Sequence, residues 1–219
     1  MKSEFLISGI ETGQLNAVVK NIMAQISIKD PKEAVRMINA GELNISVIKP
    51  AIKWREENKV IYFSVTSDGT TGEEWITHLA SKGFRVGDYA KSILRSKSFK
   101  PTSDITYEIA VLKGELFSDN ERIIKNIRKE AKTWKFITPN AEVACLIREK
   151  FSDKELKAKG LYWIVVMHEP IKDSGGDPML LSADRYGGGS WLSAYCDNPG
   201  DEWSRRDGFA FVVSQVSGS

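Results

Sequence analysis

The chain has 219 residues, enough for one substantial core and a small appendage. Its 31 basic and 29 acidic residues are interleaved and leave a net charge of +2, which excludes the basic footprint of a nucleic-acid-binding protein. Two cysteines, Cys145 and Cys196, exclude a disulfide scaffold and a cysteine-based zinc site. No run is long and apolar enough to span a bilayer, and the first residues lack the apolar core of a signal peptide, so the default expectation is cytoplasmic.

Residues 1–50 are expected to form a helical extension. Leu15, Val18, Val19, Ile22, Met23 and Ile26 recur at helical spacing. Asp30-Pro31-Lys32-Glu33 starts a second helix with Asp30 as N-cap; Ala34, Val35, Met37 and Ile38 form its stripe and Gly41 ends it. Two short amphipathic helices cannot bury their stripes alone. They must pack on the main domain, on a second copy or on a partner, so residues 1–45 are a candidate homo-oligomer contact. A DNA-reading role is disfavoured, because the second helix carries only Lys32 and Arg36, matched by Glu33.

Residues 51–217 are predicted to be one α+β domain, reached through a connector over residues 43–56. Val60–Val65 is a strand, and Ser67–Gly72 a turn that lacks the Gly-Lys-Ser/Thr ending of a phosphate loop. A helix over 72–82 is capped by Thr70 or Thr71, carries Glu73 and Glu74 in its first turn, and buries Trp75, Ile76 and Leu79. Residues 87–95 form a short helix with Tyr89, Ile93 and Leu94, and Thr106–Leu112 a strand. Ser118-Asp119-Asn120-Glu121 reads as a capping box opening a helix to about Lys132. The basic residues from Arg122 to Lys135 read as its solvated face. Thr138-Pro139 opens a helix over 141–151 with Cys145 in its core, and Ser152–Glu155 caps another that Gly160 ends. Leu161–Met167 is continuously apolar and is expected to be the central strand.

Residues 181–214 are the most informative. A strand-like run breaks at Gly187-Gly188-Gly189 and resumes at Ser190-Trp191-Leu192. A polar, aromatic-rich loop follows, and a strand from Gly208 to Val213 closes the chain ahead of a frayed tail, Val216–Ser219. Tyr, Trp, Ser, Asn and Asp are mixed as in paratopes, which combine rigid contact area with adaptable hydrogen bonds.

Arg185, Gly188-Gly189-Ser190-Trp191, Ala194-Tyr195, Asn198-Pro199 and Gly208-Phe209 recur in the order of a known tail: Arg-Gly-Gly-Ser-Trp, Arg-Ser-Ala, Asn-Asn-Pro-Asp, Gly-Phe-Arg. This stretch resembles the end of C-type lectin-like domains of the formylglycine-generating-enzyme type, and the variable proteins of diversity-generating retroelements. The likeness is clear over this stretch and looser upstream. It implies a C-type lectin-like fold whose last strand lies near the start of the domain, with a variable region at about residues 182–207. Retroelement diversification replaces adenines, and Tyr186, Ser190, Ser193, Tyr195, Cys196, Asp201, Ser204, Arg205 and Arg206 are all reachable from Asn codons by such changes. Asp184 and Asp197 would add polarity, and Trp191 and Trp203 would join Tyr186 and Tyr195 as aromatic anchors.

Enzyme chemistry has a weaker basis. The reactive cysteine pair of the formylglycine-generating enzymes is missing, since Cys145 lies in a helix. The Glu-Pro-Asn and Trp-Asn-Asp motifs of calcium-dependent sugar binders are also missing, although Asp173, Asp177, Asp184, Asp197, Asp201 and Glu202 are available oxygen donors. His78 reads as structural or surface. His168-Glu169 at a strand end is the best base or metal-ligand pair, but it lacks a third partner and is read as bonding the following loop. The expectation is a non-catalytic binding protein without cofactor or metal, whose ligand is a protein or another macromolecule. The alternatives are an enzyme centred on His168 and Glu169, or an assembly protein acting through its N-terminal helices.

Overall fold

The computed structural model describes residues 53–217 together with Asp30, Lys32, Glu33, Arg36, Met37, Ala40 and Glu42. The chain divides into two compact units, Met1–Ala51 and Ile52–Ser219. In the first, Asp30 Oδ1 accepts the Lys32 amide at 2.9 Å, the N-cap contact expected there. Arg36 pairs with Glu33 at 2.9 Å and Glu42 at 3.0 Å. The apolar positions Leu15–Ile26 lie outside the described residues. Among the described residues no helix is long and apolar enough to cross a membrane.

The second unit is α+β, with one open nine-stranded sheet. Its strands are β1 (Arg55–Glu57), β2 (Val60–Asp68), β3 (Arg85–Val86), β4 (Ser103–Lys113), β5 (Trp163–Val166), β6 (Ile171–Lys172), β7 (Pro178–Tyr186), β8 (Gly189–Cys196) and β9 (Asp207–Ser217). The order across the sheet is β1-β2-β4-β9-β5-β7-β8-β3, with β6 beside β7. The closing strand β9 therefore runs between β4, to which it is antiparallel, and β5, to which it is parallel. β5 is central, as its unbroken apolar run predicts: it has a neighbour on each side, and Ile164–Met167 is wholly buried.

Strand alternation divides the interior into two cores. Ile109 and Val111 of β4 face one and Ala110 and Leu112 the other; Ala210 and Val212 of β9 oppose Phe209 and Phe211 in the same way. The first core is covered by α1 (Gly72–Ser81), α2 (Asp88–Leu94), α4 (Val143–Lys150) and α5 (Asp153–Ala158), and the second by α3 (Ile124–Thr133). The capping box expected at Ser152–Glu155 forms on α5, and on α1 the cap is Thr71, which closes a box with Glu74.

The box expected at Ser118–Glu121 does not form. Ser118 makes no side-chain cap bond, Asp119–Glu121 is a 3-10 turn, and α3 begins at Ile124. The reason is Arg122, only 4% exposed, whose guanidinium turns inward. It donates to the carbonyls of Gly114 (2.9 Å), Trp203 (3.0 Å) and Phe117 (3.1 Å) and to Asp119 (2.8 Å). The solvated basic face is thus Lys125, Lys129 and Lys132, without Arg122. Two other expectations change. Val216 and Ser217 pair with Thr106 and Ile105 as part of β9 rather than fraying. The run expected to resume at Ser190–Leu192 continues through Ser193–Cys196 as strand β8, so the loop proper spans only 197–206.

Candidate functional site

Tyr186 pairs with Gly189, leaving Gly187-Gly188 as a two-residue hairpin turn with φ of +58° and +75°. A right-twisting hairpin needs positive φ at both central positions, which costs an L side chain about 1–2 kcal/mol each. This register sets Asp184 opposite Trp191, Ser182 opposite Ser193 and Leu180 opposite Tyr195.

The hairpin, α2 and the β6–β7 turn enclose a groove of about 630 Å³. Six of the residues chosen from sequence meet there: Asp184, Tyr186, Trp191, Ser193, Tyr195 and Cys196. Asp88, Tyr89, Asp173 and Asp177 complete its polar and aromatic lining. A neighbouring cavity of about 320 Å³ shares Tyr195 and Cys196 and adds Trp163, Asp201, Glu202 and Trp203.

Tyr186 is 70% exposed. Trp191 is half-buried, donates its indole N–H to the Tyr186 carbonyl at 3.1 Å, and carries the Arg85 guanidinium 5.2 Å from its ring. Tyr195 stacks on Trp163 at 4.8 Å, and burial pushes its phenol pKa up, with the nearby Asp184 charge adding to the shift. Asp184 is fully buried: Oδ2 accepts from Ser182 at 3.3 Å and Tyr195 at 3.5 Å, while Oδ1 has no partner. Burial raises its pKa, against the hydroxyls and the Arg148 charge nearby. Arg148, wholly buried on α4, donates to the Asp184 carbonyl at 2.8 Å and so fixes β7 against the helix layer.

Trp203 is not an exposed anchor. It is 9% exposed and meets Trp163, Tyr195 and Phe209 edge-on at 5.9–6.1 Å, as part of the second core. Other chosen residues are engaged outside the groove. Asp197 pairs with Arg128 at 3.4 Å, Arg205 with Asp119 at 3.0 Å, and Arg206 with the Tyr162 hydroxyl at 3.0 Å. Ser204 Oγ accepts the Arg206 amide at 3.2 Å, and Ser190 lies on β8 near the turn without lining the groove.

The chain matches no family model, no curated protein and no solved structure.

Asp88 and Tyr89 were missed from sequence as site residues. Their signal was phase: Ala90, Ile93 and Leu94 form the buried stripe of α2, so Tyr89 falls off it and is 59% exposed. Asp207 was also missed. It is 2% exposed, its carboxylate accepts the Ser204 amide at 2.7 Å, and burial pushes its pKa up to about 6. With Arg122 it ties the 197–206 loop to the rest of the domain.

His168 has no nitrogen free for a substrate or metal. Nδ1–H donates to the Glu169 carbonyl at 2.6 Å, Nε2 accepts the Leu181 amide at 2.9 Å, and burial lowers the pKa to about 4. The ring pins β7 to the end of β5, which removes the basis of the His168–Glu169 enzyme reading. His78 contacts Glu149 at 2.8 Å on the surface. Among the described residues no three His, Cys, Asp or Glu side chains converge to hold a metal.

Proposed function

We propose that the protein is a non-catalytic binding module of the C-type lectin-like kind, presenting the β7–β8 groove to a macromolecular ligand as the variable proteins of diversity-generating retroelements do. The observation that carries this reading is the convergence of Asp184, Tyr186, Trp191, Ser193, Tyr195 and Cys196 on one groove.

Two further observations support it. β9 is an inner strand separated from β2 only by β4, in keeping with a domain whose last strand lies near its start. All the adenine-reachable positions, Tyr186, Ser190, Ser193, Tyr195, Cys196, Asp201, Ser204, Arg205 and Arg206, are at least partly exposed; of the residues expected as scaffold, Trp191, Leu192, Pro199, Phe209 and Phe211, the three Leu192, Phe209 and Phe211 are buried, Trp191 is half-buried and Pro199 is exposed. Sequence change at the first set, Tyr195 apart, leaves the cores intact; Tyr195 packs on Trp163 and Trp203 at the border of the second core.

The test is selection of a displayed peptide library on the full chain, followed by hydrogen-exchange footprinting of the selected binders. Protection at Tyr186–Cys196, with binding lost in Trp191→Ser, is the expected result. Footprints that all fall elsewhere would refute the assignment.

A further inference from the structure

We propose that the groove takes an extended, positively charged peptide segment of a partner protein, which adds as a strand to the free edge of β8. This rests on the binding-surface reading above.

The backbone supplies the first argument. Backbone bonds alternate sides along an antiparallel pair. The Asp197 amide donates to the Pro178 carbonyl at 2.8 Å, which fixes the phase of β7 against β8. The Arg185 amide bonds Tyr162 and the Leu181 amide bonds His168, so odd positions of β7 face away from β8, in agreement. The N–H and C=O groups of Ala194 and Cys196 therefore point outward from the sheet. β3 covers β8 only at Trp191 and Leu192, and after the Gly87 amide bonds the Leu192 carbonyl at 2.9 Å the chain turns into α2. Among the described residues no strand pairs with β8 beyond that point. A free strand edge is a template for an extended peptide.

Charge supplies the second. The ionic side chains lining the groove are Asp88, Asp173, Asp177 and Asp184, and the adjoining cavity adds Asp201 and Glu202. Among the described residues no Lys or Arg lines either, in a chain with 31 basic and 29 acidic residues. Among the described residues, Asp88 alone of the groove's four is ion-paired, with Lys91 at 3.0 Å. Arg85 lies over the Trp191 ring and Arg148 donates to the Asp184 carbonyl.

Asp184 supplies the third. Its Oδ1 is buried at the groove without a donor, and a buried acceptor is normally satisfied. The ammonium or guanidinium of a bound side chain would provide that donor. Tyr89, Tyr186, Trp191 and Tyr195 offer ring faces for the charge and for the aliphatic stem behind it.

The test uses the ¹⁵N-labelled full chain titrated with Ac-Lys-Val-Lys-Val-Lys-NH2, its Glu-Val-Glu-Val-Glu counterpart, and two forms of the Lys peptide N-methylated at one or the other alternate set of residues. The Lys peptide should shift the Ala194 and Cys196 amides and the Trp191 indole saturably. The Glu peptide should bind at least about tenfold more weakly, the loss expected when a charge-assisted bond is replaced by repulsion. A strand pairs through alternate residues, so one N-methylated form should fail and the other should be tolerated. Asp88→Asn with Asp177→Asn should weaken the Lys peptide by about 2–20-fold, the range of two exposed ion pairs. Equal binding of the Lys and Glu peptides would overturn the charge assignment, and full binding of both N-methylated forms would overturn strand addition. No shift at the groove with any peptide would overturn the proposal outright; the binding-surface reading is decided separately by the library selection.

Discussion

Replacing Asp207 by Asn should stabilise the protein relative to its parent increasingly as pH rises from 4 to 7. Asp207 has a folded-state pKa of about 6 against 3.8 for the free side chain, because burial disfavours its charged form. Between those values the folded chain keeps a proton that the unfolded chain has lost, so stability falls as pH rises through the window. The difference of 2.2 units corresponds to about 3 kcal/mol. His168 acts with the opposite sign. Its pKa drops from 6.5 to about 4, so the unfolded chain binds the extra proton and stability falls as pH is lowered through that window, again by about 3 kcal/mol. The two windows overlap, and their contributions nearly cancel in the parent. Urea unfolding of the parent, Asp207→Asn and His168→Gln at intervals from pH 4 to 7 separates them. The fixed cost of each substitution drops out, because only the change in its difference from the parent with pH is read. The Asp207→Asn difference should rise by about 3 kcal/mol across the range and the His168→Gln difference should fall by about as much. Differences constant to within about 0.5 kcal/mol would refute the burial-shifted pKa values assigned to these two groups.

Trp203→Ala should cost about 3–5 kcal/mol in unfolding free energy, as for a buried aromatic, whereas Tyr186→Ser should lie within about 0.5 kcal/mol of the parent; equal effects in calorimetry would contradict the division between core and groove. Gly114→Ala would place a Cβ 2.4 Å from the Ser204 carbonyl oxygen and 3.0 Å from that of Asp207. It should cost about 1–3 kcal/mol and speed hydrogen exchange across 200–206, and unchanged exchange there would show that the loop is held elsewhere.

Local chemistry was legible in the sequence and long-range chemistry was not. Thr71–Glu74 and Ser152–Glu155 cap helices because each box is closed by residues three apart. Ser118–Glu121 has the same pattern, but Arg122 follows it, and its partners Gly114 and Trp203 lie 8 and 81 positions away. The tryptophan-rich tail announced contact area without saying which ring would be core: Trp203 is sealed by Trp163, Tyr195 and Phe209, residues spread over three strands. The second half of β8, Ser193–Cys196, reads as loop because a strand covered by β3 only at Trp191 and Leu192 carries polar residues on both faces, which erases the two-residue period. Asp184 was chosen for its charge and proves buried, held behind the hairpin by Arg148, whose place in an apolar helix gave no hint of a partner on β7.

The most direct test of the central claim, that the hairpin face is a diversified binding surface, is to sequence the coding DNA for residues 180–214 and its flanks across a population of the source organism. The account predicts substitutions confined to adenine-containing codons, concentrated at Tyr186, Ser193, Tyr195 and Cys196 on the groove and absent from Leu192, Phe209 and Phe211, with a near-copy of the segment close by. A uniform segment without a nearby copy, or substitutions spread evenly over groove and core positions, would contradict it.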